Sequence, residues 1–325
     1  MDLTRREFAL AAAAMGAARA TADASARAPA PRAAERRDLY PQGVASGDPA
    51  EDSVILWTRR PPAPGAEARR LRVEVAEDPT FARLAAAGTA ELAPDNDWTT
   101  RFLATGLRPG REYWYRFVDD LGFASRVGRT LTAPAPDADA PVRFAFASCQ
   151  MVAEGACNAY RRMIFEDEAR AADERLGFVL HLGDFIYEVV WYPEDAPGGV
   201  RRGRRLRDLF RYPNGEKVGD FHLPTSLADY RTVYRAYLED PDLQDARARW
   251  PFVCVWDNHE FAWAGYQSQQ VFPGVSRPAQ ALTCSGAKPR KSGLPRRSSR
   301  KRHTRISTAC ASCTCTMIYT KFGSA

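Results

Sequence analysis

The sequence predicts two units in series, an all-β sandwich and then an α/β domain. Three observations predict this. Short runs of alternating apolar and polar residues recur between Ser53 and Val118, a proline-rich stretch from Ala133 to Pro141 (APAPDADAP) interrupts the chain, and apolar strand-like runs then alternate with helical segments. The 325 residues suffice for two domains, and 7 Trp, 16 Phe and 12 Tyr supply the apolar area of sizeable cores. No window approaches the roughly 18 consecutive apolar residues of a membrane span, so stable membrane insertion is not expected.

Charge is divided unevenly. The chain carries a net charge of +6, yet no Asp or Glu follows Glu260, while 11 of its 46 basic residues lie between Arg277 and Lys321. The remainder holds 35 basic against 40 acidic residues and is mildly acidic. Nucleic-acid binding by the body of the protein is therefore not expected.

From the N-terminus, Thr4-Arg5-Arg6-Glu7-Phe8-Ala9-Leu10, an alanine-rich stretch to Ala17 and the small-residue Ala18-Arg19-Ala20 read as a twin-arginine export signal. The Pro, Ala and Arg stretch from Arg27 to Arg37 reads as a flexible spacer. Strands are predicted over Ser53 to Thr58, Leu71 to Ala76, Arg101 to Ala104 and Glu112 to Val118, and in the last of these Tyr113, Tyr115 and Phe117 share one face. The preceding Leu107-Arg108-Pro109-Gly110 resembles the tyrosine corner of fibronectin type III sandwiches. This unit contains no clustered nucleophile, ligand set or phosphate loop, so it is expected to serve as scaffold or substrate rim.

After the linker, Val142 to Ala147 is a predicted strand ending at Ser148-Cys149-Gln150, Asn158 to Leu176 a helix, and Phe178 to Leu182 a strand ending in Gly183-Asp184-Phe185-Ile186-Tyr187-Glu188. A helix over Ser226 to Leu238 and a strand over Phe252 to Trp256 follow, the latter ending in Asp257-Asn258-His259-Glu260. Polar residues thus gather at the C-terminal ends of three strands, where α/β sheets place ligands. An Asp after Gly can bridge two cations, an Asn supplies a second hard oxygen, and an adjacent His can protonate a leaving oxygen, as phosphate ester hydrolysis at a metal pair requires.

Several of these residues admit plainer readings. Cys149 can be a buried thiol and Tyr187 a core aromatic. Asp257 is expected behind the ligands, His181 as a hydrogen-bonded core histidine, His222 without a role, and the arginines from Arg201 to Arg211 as a solvated run. Cys254 is expected as a free core thiol, and the pairing of Cys157 is left open.

The segments YPQGVASGDP, SVILWT, FAFASCQ, VLHLGDFIYE and SLADYRTVYRAYLEDPDLQDARARWPFVCVWDNHEF resemble the PhoD-like alkaline phosphatases of the calcineurin-like metallophosphoesterase superfamily, over residues 40 to about 280. The resemblance implies a four-layer α/β/β/α metallophosphatase domain, here incomplete, behind a fibronectin-like sandwich. The corresponding divisions are 1–38 for signal and spacer, 39–133 for the sandwich, 142–280 for the phosphatase domain and 281–325 for a basic, cysteine-bearing tail. It further implies hydrolysis of phosphomonoesters and phosphodiesters outside the cytoplasm, in the periplasm or medium, with ferric iron (Fe3+) and calcium (Ca2+) as cofactors. By motif, Cys149 and Tyr187 would ligate iron, Asp184 would bridge the metals, Asn258 would ligate calcium, and His259 would lie beside the phosphate. The expected partners are the phosphate ester substrate and the Tat translocase, and the expected state is a monomer.

Family members continue past the NHE motif with further His and Asp ligands. After about Gln280 this chain instead reads GAKPRKSGLPRRSSRKRHTR and CASCTC, with no acidic residue. The tail is therefore expected to be an out-of-frame or disordered segment, and the 325-residue chain unstable or weakly active. Two other functions stay open: a phosphodiesterase or phospholipase D-like enzyme acting on lipid or cell-wall polymers, and a polyanion-binding protein using the tail.

Overall fold

The computed structural model describes residues 33–261. The export signal, most of the spacer and the basic tail lie outside the described residues. Sixteen strands and three α-helices fall within them.

The first unit is a sandwich of two sheets. Strands β1 (Ala34–Glu35), β4 (Arg70–Ala76), β5 (Leu84–Glu91), β7 (Glu112–Asp119), β8 (Phe123–Ala124) and β9 (Gly128–Leu131) form a six-stranded sheet in the order β1-β8-β7-β4-β5, with β9 also on β7. Strands β2 (Val44–Gly47), β3 (Ser53–Arg59) and β6 (Thr99–Thr105) form the facing sheet. Alternation drives the packing: Leu71, Val73 and Val75 of β4 meet Tyr113, Tyr115 and Phe117 of β7 and Val54 and Leu56 of β3 in one core. The tyrosine corner forms as expected, with the Tyr113 hydroxyl accepting from the Arg108 N–H at 2.8 Å.

Two features depart from expectation. The spacer predicted to Arg37 is structured at its described end, because Ala34 and Glu35 pair in parallel with Phe123 and Ala124. Strand β5, rich in Ala, lies outside the predicted strands. Its Gly88 leaves room for the Phe102 ring, since a Cβ there would sit 2.3 Å from Phe102 Cε2.

The second unit is built on a parallel sheet, β10 (Phe144–Ala147), β11 (Phe178–His181) and β16 (Phe252–Cys254), in the order β10-β11-β16. Helix α1 (Asn158–Glu168) lies between β10 and β11, and α2 (Leu227–Leu238) and α3 (Pro241–Arg249) precede β16. Hairpins β12/β13 (Val200–Arg201, Arg204–Arg205) and β14/β15 (Glu216–Val218, Phe221–Leu223) fill the segment between β11 and α2. Helix α1 ends eight residues before the predicted Leu176. The buried Asp167 carboxylate takes the Leu176 N–H at 2.7 Å and the Arg249 guanidinium at 3.1 Å, which turns the chain back toward β11. Helix α2 starts where expected, capped by Ser226 with Asp229 completing a capping box. Helix α3 has Asp240 as cap and Pro241 at its first position.

The two units share cores. Ala45 and Trp57 of the sandwich pack among Trp250, Phe252 and Leu243, while Ala248 of α3 belongs to the sandwich core.

Candidate metal and phosphate site

The site assembles where the strand-end loops of the parallel sheet meet. Backbone bonds fix the first two loops to each other: Leu182 N–H donates to Ala147 O at 2.8 Å, Cys149 N–H to Gly183 O at 3.2 Å and Gln150 N–H to Asp184 O at 3.1 Å. Gln150 also donates its amide to Phe185 O at 2.9 Å and accepts from the Tyr160 hydroxyl at 2.9 Å. To make these turns Gly183 takes φ 94°, and Cys149 and Asp184 take φ 57° and 52°, a left-handed conformation that costs non-glycine residues.

The third loop is held against the second by a carboxylate. Glu260, buried at the end of the NHE turn, accepts the backbone N–H groups of Asp184 at 3.1 Å, of Phe185, and of its own turn at Asp257, at 2.7 Å. Burial raises its pKa and the donated N–H bonds work against that. Asp257 caps the turn by accepting from Asn258 N–H at 2.8 Å, and it packs so close to Gly183 that a Cβ there would lie 2.4 Å from Asp257 Cβ.

Three predicted residues come together. Asp184 is buried, and its Oδ2 accepts from the Tyr187 hydroxyl at 3.0 Å and lies 3.5 Å from Cys149 Sγ. Its Oδ1 is buried with no partner. Cys149 itself is exposed, which removes the plain reading of a buried thiol. Burial, with the neighbouring Cys149 and Asp184, holds the Tyr187 phenol in its protonated form. A thiol, a carboxylate and a phenol on one point, with one carboxylate oxygen unengaged, is a donor set suited to a highly charged cation that displaces the two protons.

His259 stands beside this cluster. Its ring lies 4.2 Å from the Tyr187 ring, and its Nδ1 is 2.6 Å from Oε2 of the buried Glu188. Burial favours the neutral imidazole, but Glu188, Asp184 and Glu260 together outweigh it and leave the pKa above its ordinary value. Asn258 opens the same turn as His259.

Other expectations resolve as follows. His181 lies in the core, but neither ring nitrogen has a hydrogen-bond partner, contrary to the expected hydrogen-bonded histidine. It packs against the Phe185 ring at 4.9 Å, and burial pushes its pKa down to about 4, so the ring stays neutral. His222 pairs with Asp195 at 3.0 Å and stacks on Tyr192, a structural role. The run from Arg201 to Arg211 is solvated as expected, with Arg202, Arg204, Arg205, Arg207 and Arg211 exposed; only Arg201 is half-buried, pairing with Glu154 and lying over Trp191, while Arg207 also reaches Val152 O and Arg211 pairs with Glu194 and Asp208. Cys157 and Cys254 are free, buried thiols. Sequence reasoning missed Glu188 and Glu260, although each lies within a motif already singled out.

Comparison with known proteins decides the family. Residues 24–134 match the model for the PhoD-like phosphatase N-terminal domain, and residues 144–293 match the model for PhoD-like phosphatase. The chain belongs to the PhoD-like phosphatase family. It is 37% identical over 228 residues to alkaline phosphatase D of Bacillus subtilis (strain 168), a match covering 67% of this chain and 34% of that protein. A solved structure of PhoD aligns with TM-score 0.59 and 34% identity over 78% of this chain and 44% of its own. A purple acid phosphatase from yellow lupin (Lupinus luteus) seeds aligns with TM-score 0.40 and 13% identity, over 68% of this chain and 35% of its own. The chain thus spans about a third of the curated relative and under half of the solved PhoD. The PhoD match agrees with the fold built above, a β-sandwich followed by a metallophosphatase-type α/β unit.

Proposed function

We propose that this chain is a metal-dependent phosphoric ester hydrolase of the alkaline phosphatase D type, exported by the twin-arginine route and acting on phosphomonoesters and phosphodiesters. The observation that carries the reading is the convergence of Cys149, Asp184 and Tyr187 on one buried carboxylate, one of whose oxygens has no partner. In this proposal Cys149, Asp184 and Tyr187 would hold ferric iron, and Asp184 and Asn258 would hold calcium. When bound, such metals supply Lewis-acid stabilisation of charge on the phosphoryl oxygens.

The remaining work falls to side chains of this chain. Glu188 engages His259 Nδ1 and fixes the ring, so Nε2 is the nitrogen left to carry a proton toward a departing alcohol oxygen. The neighbouring carboxylates favour that proton's presence on the imidazole. Glu260 keeps the Asp184 loop closed on the Asn258–His259 turn, so that donors from two strand ends stay in register. Export is supported by the paired arginines and small-residue site near the N-terminus.

The test is hydrolysis of p-nitrophenyl phosphate and bis(p-nitrophenyl) phosphate by the full chain supplied with iron and calcium. Asp184→Asn is expected to abolish turnover of both esters while the fold persists. Retained turnover in that variant would overturn the assignment, and hydrolysis of the monoester alone would restrict it to phosphomonoesters.

A further inference from the structure

Away from the phosphatase site, the seam between the sandwich and the α/β unit buries an arginine that no acid balances. Arg247 on helix α3 is 2% exposed and makes no ion pair among the described residues. Its guanidinium lies over the Trp57 ring, 4.8 Å from the centroid, and its Nη1 has no hydrogen-bond partner. The groups that act on its charge are Cys254, Tyr115 and Tyr160, none of them a carboxylate. Burial raises the Cys254 thiol to about 12, so it remains neutral and does not compensate. Burial lowers Arg247 itself only to about 10, so the guanidinium stays charged at neutral pH.

Other buried donors lie on the elements that meet at this seam. The Tyr115 hydroxyl of β7 is fully buried, faces Ser46 of β2, and feels both Arg247 and Arg126. Trp57 Nε1, Arg126 Nε and Arg247 Nη1 are buried without a partner, and Tyr115 Oη and Ser46 Oγ have none beyond each other. Buried polar groups are satisfied as a rule, so three orphaned donors beside a Tyr115–Ser46 pair on the elements of one seam point to an occupant. All five atoms are donors or can rotate to donate, and a fixed positive charge sits among them. That combination rejects a cation and favours an anion.

The charge balance also limits the anion's valence. Arg126 donates to Asp245 at 2.7 Å, and Arg161 is shared between Asp242 and Asp245, so these two arginines and two acids cancel. One unit of positive charge, on Arg247, is left over. We propose that the seam between the sandwich and helix α3 is a buried binding site for a single monovalent inorganic anion of the halide class, held by Arg247, Arg126, Tyr115 and Ser46. The site cross-links β2, β7 and the loop after β8 to α3, and so fixes the two units to each other without touching the phosphatase residues.

The experiment measures thermal unfolding of the full chain as gluconate is replaced by chloride at constant ionic strength. A saturable rise of the midpoint with chloride is expected. Tyr115→Phe keeps the ring and removes one donor to the anion, and should need about ten-fold more chloride for the same rise. Arg247→Met should lose the chloride dependence altogether. If Arg247→Met does not fold, Tyr115→Phe and the anomalous signal of bromide in crystals grown with bromide in place of chloride decide the matter, with a peak expected against Arg247. A midpoint indifferent to chloride with no bromide peak would mean that ordered water alone fills the seam, and an unaltered chloride response in Tyr115→Phe and Arg247→Met would place the bound anion elsewhere. Either result overturns the proposal.

Discussion

Glu188 shows how much of the behaviour of His259, the proposed proton donor, is set by a neighbour. Its carboxylate is buried and engages His259 Nδ1, so it acts by holding the ring and the tautomer. Glu188→Gln keeps the shape and removes the charge. Turnover of p-nitrophenyl phosphate is expected to fall about 10- to 100-fold with little change in KM, and an unchanged kcat would deny Glu188 this positioning role. His181 gives a second residue-scale expectation. Its folded-state pKa of about 4 lies below the ordinary 6.5, so between those values the unfolded chain takes up a proton that the folded chain refuses. The stability this residue contributes is therefore complete above about pH 6.5 and is lost as pH falls toward 4, by ~3 kcal/mol in all. Urea midpoints measured across that window should fall less steeply in His181→Leu than in the parent chain.

At the scale of elements, the site depends on how closely three strand ends approach. Gly183 has φ 94° and no space for a side chain beside Asp257. Gly183→Ala combines left-handed strain with a backbone clash and should destabilise the chain by about 2 kcal/mol or more. Denaturant unfolding reads this directly, and a loss below ~0.5 kcal/mol would mean that the loops separate freely. The strands that carry this geometry are legible in the sequence because apolar runs such as FVLHL end in Gly-Asp or Asp-Asn, signals carried within a few residues. The elements that are not legible are those whose reason lies elsewhere in the chain. Strand β5 has an Ala-Gly composition that only makes sense once Phe102 lies against Gly88. Helix α1 stops at Glu168 because Asp167 meets Leu176 and Arg249. Glu260 likewise reads as the end of a motif, and its function as a clamp appears only when a loop 76 residues away donates to it. The motifs single out Cys149, Asp184 and Tyr187, and their convergence is visible only in three dimensions.

The whole molecule is organised around a shared interior. Trp57 belongs to the sandwich by sequence and to the α/β core by packing, and Ala248 makes the reverse exchange. Helix α3 is the hinge of this arrangement, with Gln244 reaching Pro41 O at 2.7 Å and Arg249 O accepting from Arg129 at 3.1 Å. The two units should therefore unfold in one transition. Tryptophan fluorescence and far-ultraviolet dichroism are expected to give coincident denaturant curves, whereas two separated midpoints would mean that the sandwich folds independently. The same interior fixes the strand ends that carry the donor cluster, and that cluster is the feature on which the proposed chemistry depends. The most direct measurement is the iron and calcium content of the purified full chain beside its Cys149→Ser and Tyr187→Phe variants. Iron bound by the parent, reduced about ten-fold or more in each variant, is the expected result. A parent chain that binds no iron, or variants that retain it in full, would contradict the assignment of Cys149, Asp184 and Tyr187 as the metal-holding set.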